Sequence, residues 1–255
     1  MTFEALGWQE FPPEPAVLNW IDHAAPSAQE ASQDTARFDE WLRCGGTWFV
    51  GVDALPNDAS GKVKNGPALK GAALDFAIKR EGLLPLHRAQ VSVIYPGYPK
   101  PMTGESEAAF RFRRDRDAAH VDGLLPIGPA KRRYLHEPHA FVLGIPLNAS
   151  DAAPLVVWEG SHVIMQEAFA AALSGISPKE WGTEDLTEIY QSARKQCFER
   201  CRRSEIRVSL GGAYIVHRLA LHGVAPWKDG ETAQKKGRMI AYFRPQLPDI
   251  ENWLR

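Results

Sequence analysis

Two periods of apolar spacing divide the chain. Up to about residue 86, apolar residues recur every three or four positions, the repeat of one helical face. Val17, Leu18, Trp20 and Ile21 predict a first helix over Pro13–Ala24. Ser27 and Glu30 have capping-box spacing. They predict a second helix carrying Phe38, Trp41 and Leu42, stopped at Gly45-Gly46, where a left-handed cap costs little. Gly71–Arg80 predicts a third helix, ended by Gly82. A strand over Thr47–Val52 and a polar loop over Pro56–Gly66 lie between them.

From His87 onward the pattern changes to period two. Arg88–Tyr95, Ala140–Leu147, Leu155–Trp158, Arg207–Ser209, Ala213–Val216, Leu219–Val224 and Arg238–Phe243 predict short strands, and Ala109–Arg113 alternates like another. Many short strands separated by turns predict a sandwich or barrel. One helical insertion, at about 165–203, interrupts them. Ser177-Pro178 is its start signal for a helix, with proline at the first helical position. Leu186, Ile189, Tyr190, Ala193, Cys197 and Cys201 form that helix's apolar stripe, which makes both cysteines core residues rather than metal ligands. With no internal repeat and no linker, residues 1–255 are expected to form one domain: a helical lead-in over 1–86 and a β core over 87–245.

Composition narrows the function classes. Thirty basic and 31 acidic residues give a formal net charge of −1, and 44% of residues are hydrophobic. These values exclude a disordered chain and binding to nucleic acid through overall charge. Three sparse cysteines, Cys44, Cys197 and Cys201, make no disulfide framework and suit a reducing compartment. No signal peptide and no membrane-spanning run is evident, so a cytoplasmic location is expected.

The strongest chemical signal is His120-Val121-Asp122. In extended backbone, residues i and i+2 point to the same side, so an imidazole and a carboxylate converge there. A third ligand must come from elsewhere. Two histidines and one carboxylate on one face, with other positions open, is the arrangement of non-haem Fe(II) oxygenases. An isolated histidine–carboxylate pair also fits a solvated surface. Downstream, His222 lies in LALHGVAP, and Arg238 opens the apolar strand RMIAYF. Arginine grips a carboxylate with two parallel bonds, which suits an acidic cosubstrate.

Taken in order, these segments resemble the phytanoyl-CoA dioxygenase-like family of Fe(II)/2-oxoglutarate oxygenases over roughly His87–Pro245. The matching segments are His120 and Asp122, the run FVLGIPLNASDAAPLVVWEGSH, the run GGAYIVHRLALHGVAP, and Arg238. The resemblance implies a double-stranded β-helix, that is, a jelly-roll, cupin-like barrel. It implies Fe2+ held by His120, Asp122 and His222, and 2-oxoglutarate anchored through its far carboxylate by Arg238. The expected reaction is hydroxylation of a small organic substrate by O2, with release of succinate and CO2; the expected partners include neither nucleic acid nor membrane. Asp122 argues against halogenation, because related halogenases leave that position to halide. The segment from Trp227 to Gly237 is longer than usual for the family. It leaves Arg244 as an alternative anchor, although Arg244 is expected beyond the barrel interior, just before Pro245.

Other residues compete. His217 lies five positions before His222, so on a regular strand only one of them faces the metal. Gly223 favours His222. His136 and His139 read as loop residues, and His162 as structural. Gln90 is a candidate cosubstrate contact, with Tyr95 the alternative by strand parity. The basic stretch over Arg111–Arg133 fits either a salt-bridged surface or recognition of an anionic substrate. Two rivals to the oxygenase remain: a non-catalytic jelly-roll binding module, and a cupin-like metalloenzyme that does not use 2-oxoglutarate.

Overall fold

Period-two apolar segments must bury one face of each strand, and here they do so by going alternately into two sheets. The computed structural model describes residues 2–228, 230 and 237–255. Its strands are β1 (Trp8–Phe11), β2 (Leu42–Arg43), β3 (Trp48–Phe49), β4 (Gln90–Ile94), β5 (Leu124–Ile127), β6 (Arg132–Leu135), β7 (Phe141–Pro146), β8 (Leu155–Trp158), β9 (Arg203–Ile206), β10 (Ala213–His217), β11 (His222–Val224) and β12 (Arg238–Phe243). The large sheet has the order β1-β10-β7-β12-β4-β3-β2, and the small sheet the order β11-β8-β9. His120 extends the small sheet through an antiparallel bridge to His222. From β4 onward the chain visits large sheet, His120 bridge, β7, β8 and β9, β10, β11, then β12. That alternation is a jelly-roll winding. β5 and β6 form a separate hairpin.

The facing surfaces of the two sheets share one apolar layer. Val142, Tyr214, Val216, Ile240 and Tyr242 come from the large sheet, and Leu155, Val157 and Ile206 from the small one. Gly144 is required in this layer. A Cβ there would overlap the Tyr214 ring on the neighbouring strand. Its absence leaves room for Tyr214 to donate to the Tyr242 hydroxyl at 2.9 Å.

Helices α1 (Phe3–Leu6), α2 (Pro15–Gln33), α3 (Phe38–Trp41) and α4 (Ala72–Glu81) belong to the lead-in. The first expected helix and the expected capping box merge into the single helix α2, with Pro26 inside it. Burial of Trp20, Ile21, Ala24 and Ala28 on one side, with Trp20 Nε1 donating to Gly61 O at 2.7 Å, outweighs the hydrogen bond that Pro26 removes. The helix expected through Leu42 stops at Trp41, and Leu42 pairs with Phe49 instead.

Three further expectations change. Ala109–Arg113 is not a strand but part of α5 (Glu107–Asp115), capped by the Ser106 hydroxyl, which accepts from Ala109 N at 3.2 Å. The strand expected at Arg207–Ser209 lies earlier, at β9. The insertion holds two helices, α6 (Ser161–Ala172) and α7 (Thr187–Arg200), and the Ser177-Pro178 signal opens a 3-10 turn between them. On α7, Tyr190, Ala193 and Cys197 are buried, whereas Ile189 is 38% exposed and leaves the stripe. No helix among the described residues is long and apolar enough to cross a membrane.

Replacing Gly144 with Ala should lower stability by about 1–3 kcal/mol through overpacking against Tyr214. A lower urea midpoint with an unchanged slope is the expected reading; an unchanged midpoint would show that the tyrosine ring moves aside at no cost.

Candidate metal centre

The site begins with a backbone ladder. His120 N donates to His222 O at 2.8 Å, and His222 N donates to His120 O at 3.0 Å. Two reciprocal bonds fix the imidazoles on neighbouring strands, with ring centroids 4.9 Å apart. Asp122, two residues beyond His120, turns its carboxylate to the same side. Its Oδ1 lies 3.3 Å from His120 Nε2, and its Oδ2 lies 3.7 Å from His222 Nε2. One donor atom from each of the three residues falls within 4.8 Å of the others.

Hydrogen bonds set the tautomers. His120 Nδ1 lies 3.0 Å from Ala118 O, and His222 Nδ1 lies 2.9 Å from Ala220 O. A carbonyl only accepts, so both Nδ1 atoms carry the proton and both Nε2 lone pairs are free. Burial pulls the His222 pKa down to about 4, against the attraction of Asp122, which keeps the imidazole neutral at pH 7. Burial alone would raise the Asp122 carboxyl. The Arg244 guanidinium, followed by the two imidazoles, outweighs it and holds the group well below the usual carboxylate range. His222 and Asp122 are thus ready as ligands at neutral pH, and His120 turns its Nε2 to the same point.

The turn leading into His120 carries strain. Asp117 and Ala118 have φ of 53° and 52°, left-handed values that cost a non-glycine residue free energy. Arg203 on β9 holds the turn. Its Nε and Nη2 donate to the two oxygens of the buried Asp117 carboxylate, each at 2.8 Å. Val224 N also donates to Asp117 O at 3.0 Å. Gly223 permits this approach, because a Cβ there would overlap the Asp117 carbonyl. The His-Gly pair therefore has a packing cause: the turn that presents His120 sits directly on Gly223. Sequence reading missed Asp117 and Arg203, because nothing in the chain marks which carboxylate of a charged stretch will be buried.

The triad opens into a cavity of about 190 Å³. Trp48 on β3, with Val50 and Val52 in the turn that follows it, lines an apolar wall, while Gln90, Ser92 and Tyr242 line a polar one. Gln90 therefore faces the site. Tyr95, its parity alternative, packs against the main apolar core instead.

The two arginines of the last strand lie at its opposite ends. Arg238 is 5% exposed. Its guanidinium is hydrogen-bonded with the Tyr214 and Tyr242 hydroxyls, and its buried Nη1 has no partner. It sits behind Tyr242 rather than in the cavity wall. Arg244, expected beyond the interior, is in fact in the cavity wall. The chain stays extended through Pro245, which carries this side chain, two positions past Tyr242, to the same face. The loop that raised the choice between them falls largely on residues 229 and 231–236, outside the described residues.

The remaining histidines are elsewhere. The His217 ring packs 4.8 Å from that of His162. His162 in turn has Nε2 3.1 Å from Glu4 O. His139 is buried and lies 2.9 Å through Nδ1 from Arg244 O. The basic stretch is largely matched by partners: Arg113 pairs with Glu105, Arg114 with Asp115 and Arg132 with Asp185.

No family model and no curated protein matches the chain. Solved structures do. The chain is similar to the non-heme alpha-ketoglutarate-dependent carbocyclase SnoK from nogalamycin biosynthesis, with 14% identity and a TM-score of 0.48 over 98% of this chain and 85% of that one. It is similar to EctD from S. alaskensis with 2-oxoglutarate and 5-hydroxyectoine, with 13% identity and a TM-score of 0.43 over 96% and 73%. AviO1 from Streptomyces viridochromogenes Tue57 gives 15% identity and a TM-score of 0.41 over 97% and 93%.

Arg203→Met should leave Asp117 buried and unpaired, at a cost of about 2–3 kcal/mol in stability. It should also weaken Co(II) binding roughly 10-fold or more, the usual scale for losing a partner that orients a ligand. Denaturation and Co(II) titration read the two effects separately. Intact Co(II) affinity in a destabilised variant would mean that the turn does not orient His120.

Proposed function

We propose that the chain is an Fe(II)- and 2-oxoglutarate-dependent oxygenase that hydroxylates a small organic substrate, using O2 and releasing succinate and CO2. One observation carries this reading: two tautomer-fixed imidazoles and one ionised carboxylate converge on the wall of a cavity. Such a donor set, with its other side open, suits Fe(II). A metalloenzyme of this ligand type without 2-oxoglutarate would have no need of Arg238. A buried guanidinium with an unpartnered Nη1, two phenol hydroxyls beside it, fits the far carboxylate of a dicarboxylic acid. Three free cysteines suit action in the reducing cytoplasm.

Fe(II) with 2-oxoglutarate, when bound, would activate O2, the oxidant, so that it can break an unactivated C–H bond. The residues of the chain do the rest. His120, Asp122 and His222 hold the ion. The Tyr242 hydroxyl, backed from behind by Arg238, receives the far carboxylate, with Gln90 as a further polar contact in the wall. Burial raises the Tyr214 phenol well above its ordinary pKa, so it stays a neutral donor to Tyr242. Trp48, Val50, Val52 and Leu155 keep water from the rest of the cavity and offer an apolar surface to the substrate.

An anaerobic titration with Fe(II) and 2-oxoglutarate tests the reading directly: the visible charge-transfer band of the chelate should saturate at one equivalent. His222→Ala should bind no Fe(II) and give no band. His217→Ala should keep both, since its ring lies against His162. The opposite result would transfer the distal ligand to His217, and absence of the band in the unaltered protein would favour a binding module or a cupin-like enzyme.

Arg238→Ala should still bind Fe(II), because no ligand is removed, while 2-oxoglutarate affinity falls. Losing a charge-assisted partner in a buried site costs on the order of 2–5 kcal/mol, or roughly 30- to several-thousand-fold. Lys at this position should recover part of the loss as a point charge without the planar fork. Unchanged affinity in Arg238→Ala would remove Arg238 from the site.

A further inference from the structure

The fold devotes several contacts to one guanidinium beside the triad. Arg244 Nη1 lies 3.4 Å from Asp122 Oδ2, and its Nη2 donates to Gln90 Oε1 at 2.6 Å. Gln90 is itself set by strand pairing, opposite Tyr242 in the β4–β12 register. The backbone of Arg244 is held on both sides. Its N–H donates to His87 Nε2 at 2.6 Å, and His139 Nδ1 donates to its carbonyl at 2.9 Å. His87 can accept there because its Nδ1 donates to Arg88 O. Pro245 then restricts Arg244 to extended backbone. The next turn is closed by Ala140 N donating to Pro245 O at 2.7 Å. Two histidines outside the triad thus fix where this arginine points.

Its target is one oxygen of a ligand. Asp122 Oδ1 faces His120 Nε2, whereas Oδ2, which lies 3.7 Å from His222 Nε2, carries the hydrogen bond from Arg244. A carboxylate with both oxygens free can bind a cation through both. A guanidinium N–H aimed at one oxygen occupies one of its two lone pairs and places positive charge beside the other, where a cation would have to come. Resting on the oxygenase reading above, we propose that Arg244 is a positioning residue that restricts Asp122 to ligation through a single oxygen. It thereby keeps a coordination position free for the cosubstrate. His87 and His139 act through it, as the clamp that holds its backbone.

The test uses Mn(II) as probe, on the whole protein, with water-proton relaxation as the readout of metal-bound water. At saturating Mn(II), Arg244→Met should retain the ion with affinity equal to or greater than that of the unaltered protein. The repelling charge is gone and a second carboxylate oxygen is available. Its relaxivity per bound Mn(II) should fall by roughly a third, one water of about three at the open positions. Arg244→Lys keeps charge but cannot reach Asp122 and Gln90 with one rigid fork, so it should fall between the two. It also serves if the Met variant does not fold. Equal relaxivity in all three proteins would overturn the proposal, as would loss of Mn(II) binding in both folded variants. If the unaltered protein bound no Mn(II), the oxygenase reading itself would fail, and this inference with it.

Discussion

The pair of backbone hydrogen bonds between His120 and His222 is the constraint on which the rest of the site depends. It joins the segment that carries two ligands to the strand that carries the third. It also fixes the imidazoles more firmly than side-chain contacts could, because neither backbone can slide without breaking both bonds. Around it, each neighbour has a steric or electrostatic reason. Gly223 lets the Asp117 turn sit down, and Arg203 neutralises the carboxylate buried by that approach. Ala118 and Ala220, themselves small, offer carbonyls to the two Nδ1 atoms. The chemistry at the surface of the cavity is thus prepared by groups that never reach it.

The two sheets divide the work. The small sheet, with the His120 bridge, supplies all the nitrogen donors, and Asp122 follows directly from it. The large sheet supplies the cationic and hydroxyl groups: Arg238, Tyr242, Tyr214, Gln90 and Arg244. The apolar layer between the sheets holds these two sets at a fixed separation. This is why Gly144, far from any ligand in sequence, belongs to the site's support.

Much of this was legible in the chain itself. Strand β12 was readable to the residue, since Arg238 opens the unbroken apolar run Met239–Phe243 between a glycine-containing segment and Pro245. His120 and Asp122 stood out through their spacing, and His222 through the family resemblance of the run that ends in His222-Gly223. What was missed has physical causes. Phe110 and Phe112 alternate as in a strand, but the Ser106 cap and the local salt bridges of α5 decide for helix. Pro26 reads as a stop signal, yet packing of the Trp20 face carries α2 through it. β1 and the β5–β6 hairpin are too short for a period to show. Arg244 was misplaced because strand periodicity ends at Phe243, whereas the extended backbone does not; the two histidines that hold it come from loops far away in sequence.

The bridge between His120 and His222 also has a consequence for how the protein comes together. The two ends of the metal centre are about a hundred residues apart along the chain, with α6, α7 and six strands between them. Contacts over such a separation form against a large loop-closure entropy, and they are absent from an unfolded chain. An ion bound there recognises only the completed winding of the two sheets, so it stabilises the native state by mass action. It acts as a clasp across a long loop of the core. The same ligands that would serve chemistry therefore make metal supply a determinant of how much of the chain stays folded.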